Sequence, residues 1–246
     1  MPADFRNYNV VVTGASRGLG AATAFAFARR GARLALLARS EEGLRQTAAA
    51  ITADGAESPL LCPGDLGDPH AAESVAGTVL ESFPQVDVLV NNAAGWAPGR
   101  LADVSGPVLA ETVASTLTAP LLLTRALLPG LCRSERACVI NVASTAALTT
   151  PQAGGSTVFT AAKRGMVGFA DALRAELRPA GVRVSTVFPG TFQSESPPDA
   201  DWRQVLQRYG PGVMGVGEVT EAILYCASRP PTAAVESLVI AAFSRA

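Results

Sequence analysis

The chain has 246 residues, 48% of them hydrophobic, which is enough apolar material for one sizeable core. A formal net charge of -1 and scattered Lys and Arg residues argue against nucleic acid or an anionic membrane as partner. Residues 1–8 contain Asp4 and Arg6 and no apolar run, so they predict no signal peptide. No apolar stretch reaches the roughly 18 residues that a membrane span needs. We therefore expect a cytoplasmic protein whose partner is a small-molecule substrate, with no membrane and no nucleic acid bound.

The cysteines and the histidine give no sign of a metal site. Cys62, Cys132, Cys138 and Cys226 show no C-x-x-C spacing, and three of them lie in apolar runs. Reduced thiols are therefore predicted in preference to disulfides or metal ligands. Because His70 is the one histidine, we expect no zinc site.

Short apolar runs alternate with longer helical patterns along the chain. Predicted strands cover 9–13, 33–38, 59–62, 86–91, 138–142, 183–188 and 238–241. Predicted helices cover 18–30, 41–54, 69–82, 107–131, 158–177 and 218–228. Gly31, Gly55 and Gly181 follow helix ends, where a left-handed residue is favoured. Strands that are apolar nearly throughout are typical of a parallel sheet buried on both faces. The pattern predicts one domain over 1–246, a doubly wound α/β three-layer sandwich with a mostly parallel seven-stranded sheet.

A glycine-rich turn follows the first predicted strand and opens the first predicted helix. Its spacing is G-x-x-x-G-x-G, and glycines there permit positive φ and let a pyrophosphate approach backbone N–H groups at a helix N-terminus. Glycines also serve ordinary tight turns, but the position between strand and helix favours a Rossmann-type dinucleotide site. The predicted contacts from this turn are Gly14, Ser16, Arg17, Gly18, Leu19 and Gly20.

The end of the second predicted strand bears on the choice of cofactor. Sites that prefer NAD place an acidic residue there to bind the ribose 2′-OH. Here residues 36–40 read LLARS, with no carboxylate before Glu41. Arg39 and Arg17 are placed to neutralise a 2′-phosphate, although both could be solvated loop residues. We therefore predict NADP(H) as the cofactor.

With further motifs in the same order, the chain resembles the short-chain dehydrogenase/reductase family over nearly its whole length. The segment 91–95 (NNAAG) is similar to the family's NNAG motif, and 189–191 (PGT) to its PG motif. Ser144 and Lys163 stand where the family has its catalytic serine and lysine. The resemblance implies further cofactor contacts from Asp65, Leu66, Asn92, Ala93, Lys163, Pro189, Gly190, Thr191 and Ser194.

The resemblance also implies a homodimer or homotetramer. Its interface would contain helices 107–131 and 158–177. The small residues Ala161, Ala162, Gly165 and Gly168 would allow close helix approach, and would equally suit packing on the sheet.

Two positions depart from the family pattern. The motif Y-x-x-x-K reads here as Phe159 to Lys163, and Thr116 stands where the family has asparagine. The separation from Ser144 to Phe159 is longer than usual, which places a small insertion in 152–157. The candidate catalytic set is therefore Ser144, Lys163, Phe159 and Thr116. Phenylalanine has no proton to exchange, and a positioned general acid contributes typically about 10²–10⁴-fold.

Three hypotheses follow. The first is an NADP(H)-dependent oxidoreductase acting on a small, mostly apolar carbonyl or alcohol, its proton coming from Thr157, Ser156, a water on Ser144 or the substrate. The second is a non-redox cyclase, dehydratase or isomerase on the same scaffold. The third is a catalytically silent cofactor-binding protein. The substrate pocket is expected from 96–101, 148–157 and 192–213, with 191–217 as a lid.

Overall fold

The computed structural model describes residues 3–148, 155–193, 202–206 and 214–243. Its strands are β1 (Asn9–Thr13), β2 (Arg33–Ala38), β3 (Leu60–Pro63), β4 (Val88–Asn91), β5 (Cys138–Val142), β6 (Arg183–Pro189), β7 (Phe192–Gln193), β8 (Met214–Gly215) and β9 (Ser237–Ile240). Seven of them form a sheet in the order β3-β2-β1-β4-β5-β6-β9, and every adjacent pair is parallel. The predicted parallel seven-stranded sheet is confirmed. Winding reverses between β1 and β4, and such reversals open a ligand crevice at the carboxyl ends of the strands.

Helices cover both faces of this sheet. They are α1 (Gly18–Ala28), α2 (Glu41–Ala53), α3 (Pro69–Ser82), α4 (Gly106–Val113), α5 (Ala119–Leu131), α6 (Thr157–Leu177), α7 (Trp202–Val205) and α8 (Val216–Ala227). Side chains from α1, α2 and α8 form a core on one face, and those from α3, α5 and α6 a core on the other. Each fully buried Val or Leu contributes about 1.5–3 kcal/mol, so the sheet is fixed from both sides.

Local signals set the helix ends. The side chains of Ser40, Asp68 and Ser156 accept a backbone N–H of the first turn of α2, α3 and α6. Gly31, Gly55 and Gly181 have positive φ, as predicted from their positions after helix ends.

The predicted helix 107–131 is interrupted in the structure. A π-helical turn, Ala114–Thr118, separates α4 from α5. Pro120 has no N–H to donate to the carbonyl four residues earlier, and a wider turn accommodates this loss. By length and composition alone, Gly106–Leu131 could cross a membrane. Its residues Leu123 and Leu127 are fully buried in the core on the sheet, while only 28% of its most apolar window is buried.

A buried carboxylate ties the amino-terminal ends of the strands together. Asp87, fully buried before β4, accepts hydrogen bonds from the backbone N–H of Asn9 and the side chains of Ser134, Gln85 and Arg136. Burial raises the pKa of Asp87, but these hydrogen bonds outweigh it and the net pKa is lowered. The carboxylate is therefore ionised and structural.

Candidate active site

A cleft of about 810 Å³ opens at the carboxyl ends of β1, β2 and β4, where the winding reverses. The cleft therefore lies at the position where doubly wound sheets bind their ligands. It is lined by Gly14, Ser16, Arg17, Gly18, Ala38, Arg39, Ser40, Glu42, Gly43, Gln46, Asn92, Ala93, Ala94 and Ser115.

The glycine turn forms the floor of this large cleft. Gly14 has a φ of 65° and Gly18 a φ of 57°, both in the left-handed region that favours glycine. A Cβ on Gly20 would lie 2.2 Å from the carbonyl oxygen of Gly14, so Gly20 allows α1 to pack against the turn. Helix α1 begins after Arg17 with no side-chain cap and no acidic residue in its first turn. This end of α1 suits an anionic group such as a pyrophosphate.

The hydroxyl of Thr13 joins the glycine turn to the loop after β4. It accepts the backbone N–H groups of Asn92 and Ala93, each at 2.9 Å, and donates to the carbonyl of Val90. The Asn92 side chain returns a hydrogen bond to the carbonyl of Thr13 at 2.9 Å. These bonds fix two walls of the large cleft relative to each other.

Charges of both signs surround the large cleft. Arg17 is exposed, and no acidic residue of the described chain pairs with it. Arg39 donates through Nη1 to Oε1 of Glu111 on α4 at 2.5 Å. Glu42 also lines the cleft and accepts from Gln46. One of the two arginines predicted to bind phosphate therefore already has an anionic partner.

A smaller cleft of about 180 Å³ adjoins the large one and shares Asn92 and Ala94 with it. The remaining lining residues are Leu19, Val142, Ala143, Ser144, Phe159, Lys163, Pro189, Gly190 and Phe192. The structure thus brings Ser144, Phe159 and Lys163 together beside the glycine turn. The Ser144 hydroxyl accepts the N–H of Ala146 at 3.2 Å and retains its own proton to donate.

Lys163 reaches the small cleft from α6. Its side chain is 2% exposed, and Nζ donates to the carbonyl of Val142 at the end of β5 at 2.5 Å. Burial lowers the pKa of Lys163 to about 7. Nζ lies 5.6 Å from the centroid of the Phe159 ring, within the range of a cation–π interaction.

The Phe159 ring is half-buried and forms an apolar corner. It meets the ring of Trp96 edge to face, with centroids 4.8 Å apart. Trp96 is 62% exposed, so much of its surface is open to solvent. Ser156 is buried, donates to the carbonyl of Ala97 and caps α6 by accepting the N–H of Phe159. Thr157 is exposed and lies outside the lining of the small cleft.

Several predicted site residues lie away from both clefts. Thr116 is fully buried, and its hydroxyl accepts the N–H of Gly95 at 3.1 Å, so it orders the loop after β4. Leu66 is buried in the core, and the carboxylate of Asp65 accepts the N–H of Gly67. Thr191 is exposed beside Gly190 and outside the lining.

Ser194, the predicted pocket residues 149–154, and most of 194–213 lie outside the described residues. The part of the predicted lid that the structure does describe contains β7, α7 and β8.

Sequence reasoning missed several residues that the structure places at the site. No role is predicted for Thr13 from the sequence, although its place directly before the glycine turn is a usable signal. Glu42, Gln46 and Ser115 line the large cleft, and Glu111 pairs with Arg39 above it. No local pattern identifies Glu111, because its partner lies 72 residues away in sequence.

Comparisons with known proteins give a consistent result. A family model described as short chain dehydrogenase matches residues 8–203. The chain is 35% identical over 196 residues to dehydrogenase/reductase SDR family member 7B from Bos taurus, covering 77% of this chain and 59% of that one. It is 33% identical over 181 residues to ketoacyl reductase HetN from Nostoc sp., covering 74% and 62%. The chain therefore spans about three fifths of the length of these curated relatives.

Solved structures match over nearly the whole chain. A metagenomic short-chain oxidoreductase in complex with NADP is 31% identical, with a TM-score of 0.80 over 98% of this chain and 99% of that one.

Proposed function

The chain belongs to the short chain dehydrogenase family, and from that premise we propose that it is an NADP(H)-dependent oxidoreductase. Its substrate would be a small, mostly apolar carbonyl compound or the corresponding alcohol. The observation that carries the proposal is the junction of the two clefts at Asn92 and Ala94. A dinucleotide lying across this junction would place its phosphates on the glycine turn and its nicotinamide beside Ser144 and Lys163.

The residues of the large cleft fit such a cofactor. The start of α1 suits a pyrophosphate, because no side chain caps it. Gly14 lets the turn pack closely on the loop after β4, since a Cβ there would lie 2.9 Å from the Asn92 side chain. Arg17 and Arg39 support a 2′-phosphate, and the structural neighbour with NADP agrees with that choice. At the other end, the Lys163 ammonium suits a ribose hydroxyl.

When bound, the nicotinamide would supply or accept the hydride. The chain must then handle the proton, and Phe159, standing where the family has tyrosine, carries none. Ser156 is committed to two hydrogen bonds and Thr157 lies outside the small cleft, which argues against both.

Among the described residues that line the small cleft, the Ser144 hydroxyl and the Lys163 ammonium are the groups suited to proton transfer. We propose that they act through a water at the position of the missing phenol, with Ser144 orienting the substrate oxygen. A pKa of about 7 suits Lys163 to proton transfer near neutrality.

The test is a titration with NADPH and NADH, followed by NADPH absorbance with a panel of aryl and alkyl ketones. We expect binding, slow reduction of apolar ketones, and a loss of rate in Ser144→Ala without loss of NADPH affinity. Tight NADPH binding with no absorbance change across the panel would refute the oxidoreductase proposal.

A second candidate is a non-redox cyclase, dehydratase or isomerase. The apolar corner of Phe159 and Trp96 favours it, because it positions an apolar substrate without offering a proton. Substrate turnover with unchanged NADPH absorbance would establish it. Binding of cofactor with no turnover of either kind would instead support the third hypothesis, a catalytically silent cofactor-binding protein.

We further propose a homodimer or homotetramer. Val108 and Leu121 on α4 and α5 are 42% and 40% exposed, and the exposed Ala161 and Gly168 of α6 allow close approach. Ala162 and Gly165 instead face inward, since a Cβ on Gly165 would lie 2.8 Å from Leu117. Light scattering on eluted protein should give a dimer or larger, and Leu121→Glu should dissociate it.

A further inference from the structure

The ion pair between Arg39 and Glu111 joins opposite walls of the large cleft. Arg39 follows β2 and lines one wall, together with Ser40 and Glu42. Glu111 lies on α4, one turn before Ser115, which lines the other wall. Ser115 donates its hydroxyl to the backbone carbonyl of Glu111 at 2.8 Å, so the position of Glu111 is tied to that wall. The pair therefore links the segment after β2 to α4 at the part of the cleft where Arg39 is proposed to bind a 2′-phosphate.

The carboxylates of Glu42 and Glu111 offset the positive charge that would attract a phosphate. Arg17 and Arg39 contribute two positive charges, and Glu42 and Glu111 two negative charges. A 2′-phosphate must either draw Arg39 away from Glu111 or bind with that carboxylate close by. Both routes weaken binding of the phosphorylated cofactor. A cofactor without the 2′-phosphate can bind while Arg39 stays paired with Glu111.

The ion pair between Arg39 and Glu111 is weak enough for Arg39 to exchange Glu111 for a phosphate. The side chains of Arg39 and Glu111 are 61% and 56% exposed, and exposed ion pairs are weak. A phosphate forms bidentate, charge-assisted hydrogen bonds with a guanidinium, which are stronger than the single contact through Nη1.

We infer that Glu111 is a specificity-determining residue of the cofactor site, which competes with the 2′-phosphate for Arg39 and reduces the preference for NADP(H) over NAD(H). The inference rests on the proposed NADP(H) site. It assigns Glu111 a role in affinity alone and none in the chemistry at Ser144 and Lys163.

The test compares dissociation constants for NADPH and NADH, measured by cofactor fluorescence, in the full chain and in Glu111→Gln. The matched control is Glu73→Gln, which removes the carboxylate of another exposed ion pair, Glu73 with Arg125 at 3.0 Å, remote from the cleft lining. We expect Glu111→Gln to tighten NADPH about two- to fivefold, the range set by exposed pairs, and to leave NADH within about 1.5-fold. In an Arg39→Ala background the same substitution should tighten NADPH less.

Each outcome decides the matter. Equal effects of Glu111→Gln and Glu73→Gln on NADPH would overturn the inference and leave the proposed function standing. Weaker NADPH binding in Glu111→Gln would show that the carboxylate positions Arg39 and does not compete for it, which also overturns the inference. Absence of binding of either cofactor by the unmodified protein would overturn both the inference and the proposed function.

Discussion

Replacing Phe159 by tyrosine should restore a proton donor to the small cleft. The Phe159 ring lines that cleft, is half-buried and is flanked by the exposed Trp96, so a hydroxyl can be added at small cost to folding. Lys163 Nζ lies 5.6 Å from the ring centroid. The added phenol would therefore come under the influence of the ammonium.

The size of the effect follows from this geometry. With an assumed separation of about 5 Å between Nζ and the phenol oxygen, and an effective dielectric of about 20, a protonated Lys163 would stabilise a phenolate by about 3 kcal/mol. That corresponds to about two units of pKa, which brings a phenol from about 10 to about 8. A general acid near the working pH contributes about 10²–10⁴-fold. We therefore expect Phe159→Tyr to accelerate reduction of an apolar ketone by at least about 10²-fold.

The assay is the initial rate of NADPH oxidation at saturating ketone, in the unmodified protein and in Phe159→Tyr. The matched control is Phe169→Tyr, which adds the same hydroxyl to a partly buried ring of α6 that packs in the core on the sheet. Thr116→Asn, combined with Phe159→Tyr, tests the second departure from the family pattern. Thr116 is fully buried and its hydroxyl accepts the N–H of Gly95. We therefore expect Thr116→Asn to increase the rate less than Phe159→Tyr does.

An unchanged rate in Phe159→Tyr, with NADPH affinity intact and the ketone bound, would refute this reasoning. It would mean that a phenol at position 159 does not reach the substrate oxygen.

Three further substitutions have defined outcomes. Lys163→Met should weaken NADPH binding and stabilise the cofactor-free protein at pH 6 by about 1–4 kcal/mol, measured by urea unfolding. Burial lowers the pKa of Lys163 from 10.5 to about 7, so unmodified stability should rise with pH across that window, and the variant should lack this rise. Asp87→Asn should cost about 3–5 kcal/mol at neutral pH. The lowered pKa of Asp87 means that its contribution is present at neutral pH and lost on acidification, so the variant should show a flatter acid limb. Trp96→Ala should raise KM for an aryl ketone about two- to tenfold with little change in kcat, as expected for loss of one aromatic contact.

The sequence predicts the sheet and most helix bounds because local patterns determine them. Apolar runs identify the seven strands, and the glycines after helices have the expected positive φ. The break at 114–118 was missed, since a helical pattern does not show how Pro120 disturbs the preceding turn. The resemblance implies a cofactor contact from Leu66, and the structure adds that its side chain lies in the core.

Long-range charge pairing was beyond sequence reasoning. The arginine at the end of β2 is visible in the sequence, whereas its pairing with Glu111 depends on how α4 packs beside the loop after β4. The role of Thr116 was equally hidden. It depends on the hydrogen bond that its hydroxyl accepts from the N–H of Gly95, 21 residues away in sequence.

The phenylalanine at position 159 has a direct consequence for Lys163. A phenolate at position 159 would offset the cost of burying the ammonium, whereas the Phe159 ring offers only a cation–π contact at 5.6 Å. Burial then lowers the pKa of Lys163 to about 7, and the carbonyl of Val142 fixes Nζ in position in either charge state. A cofactor ribose that accepts a hydrogen bond from the ammonium would raise this pKa again, because a ligand that favours the charged form stabilises it. Cofactor affinity and the protonation of Lys163 are therefore linked at this site.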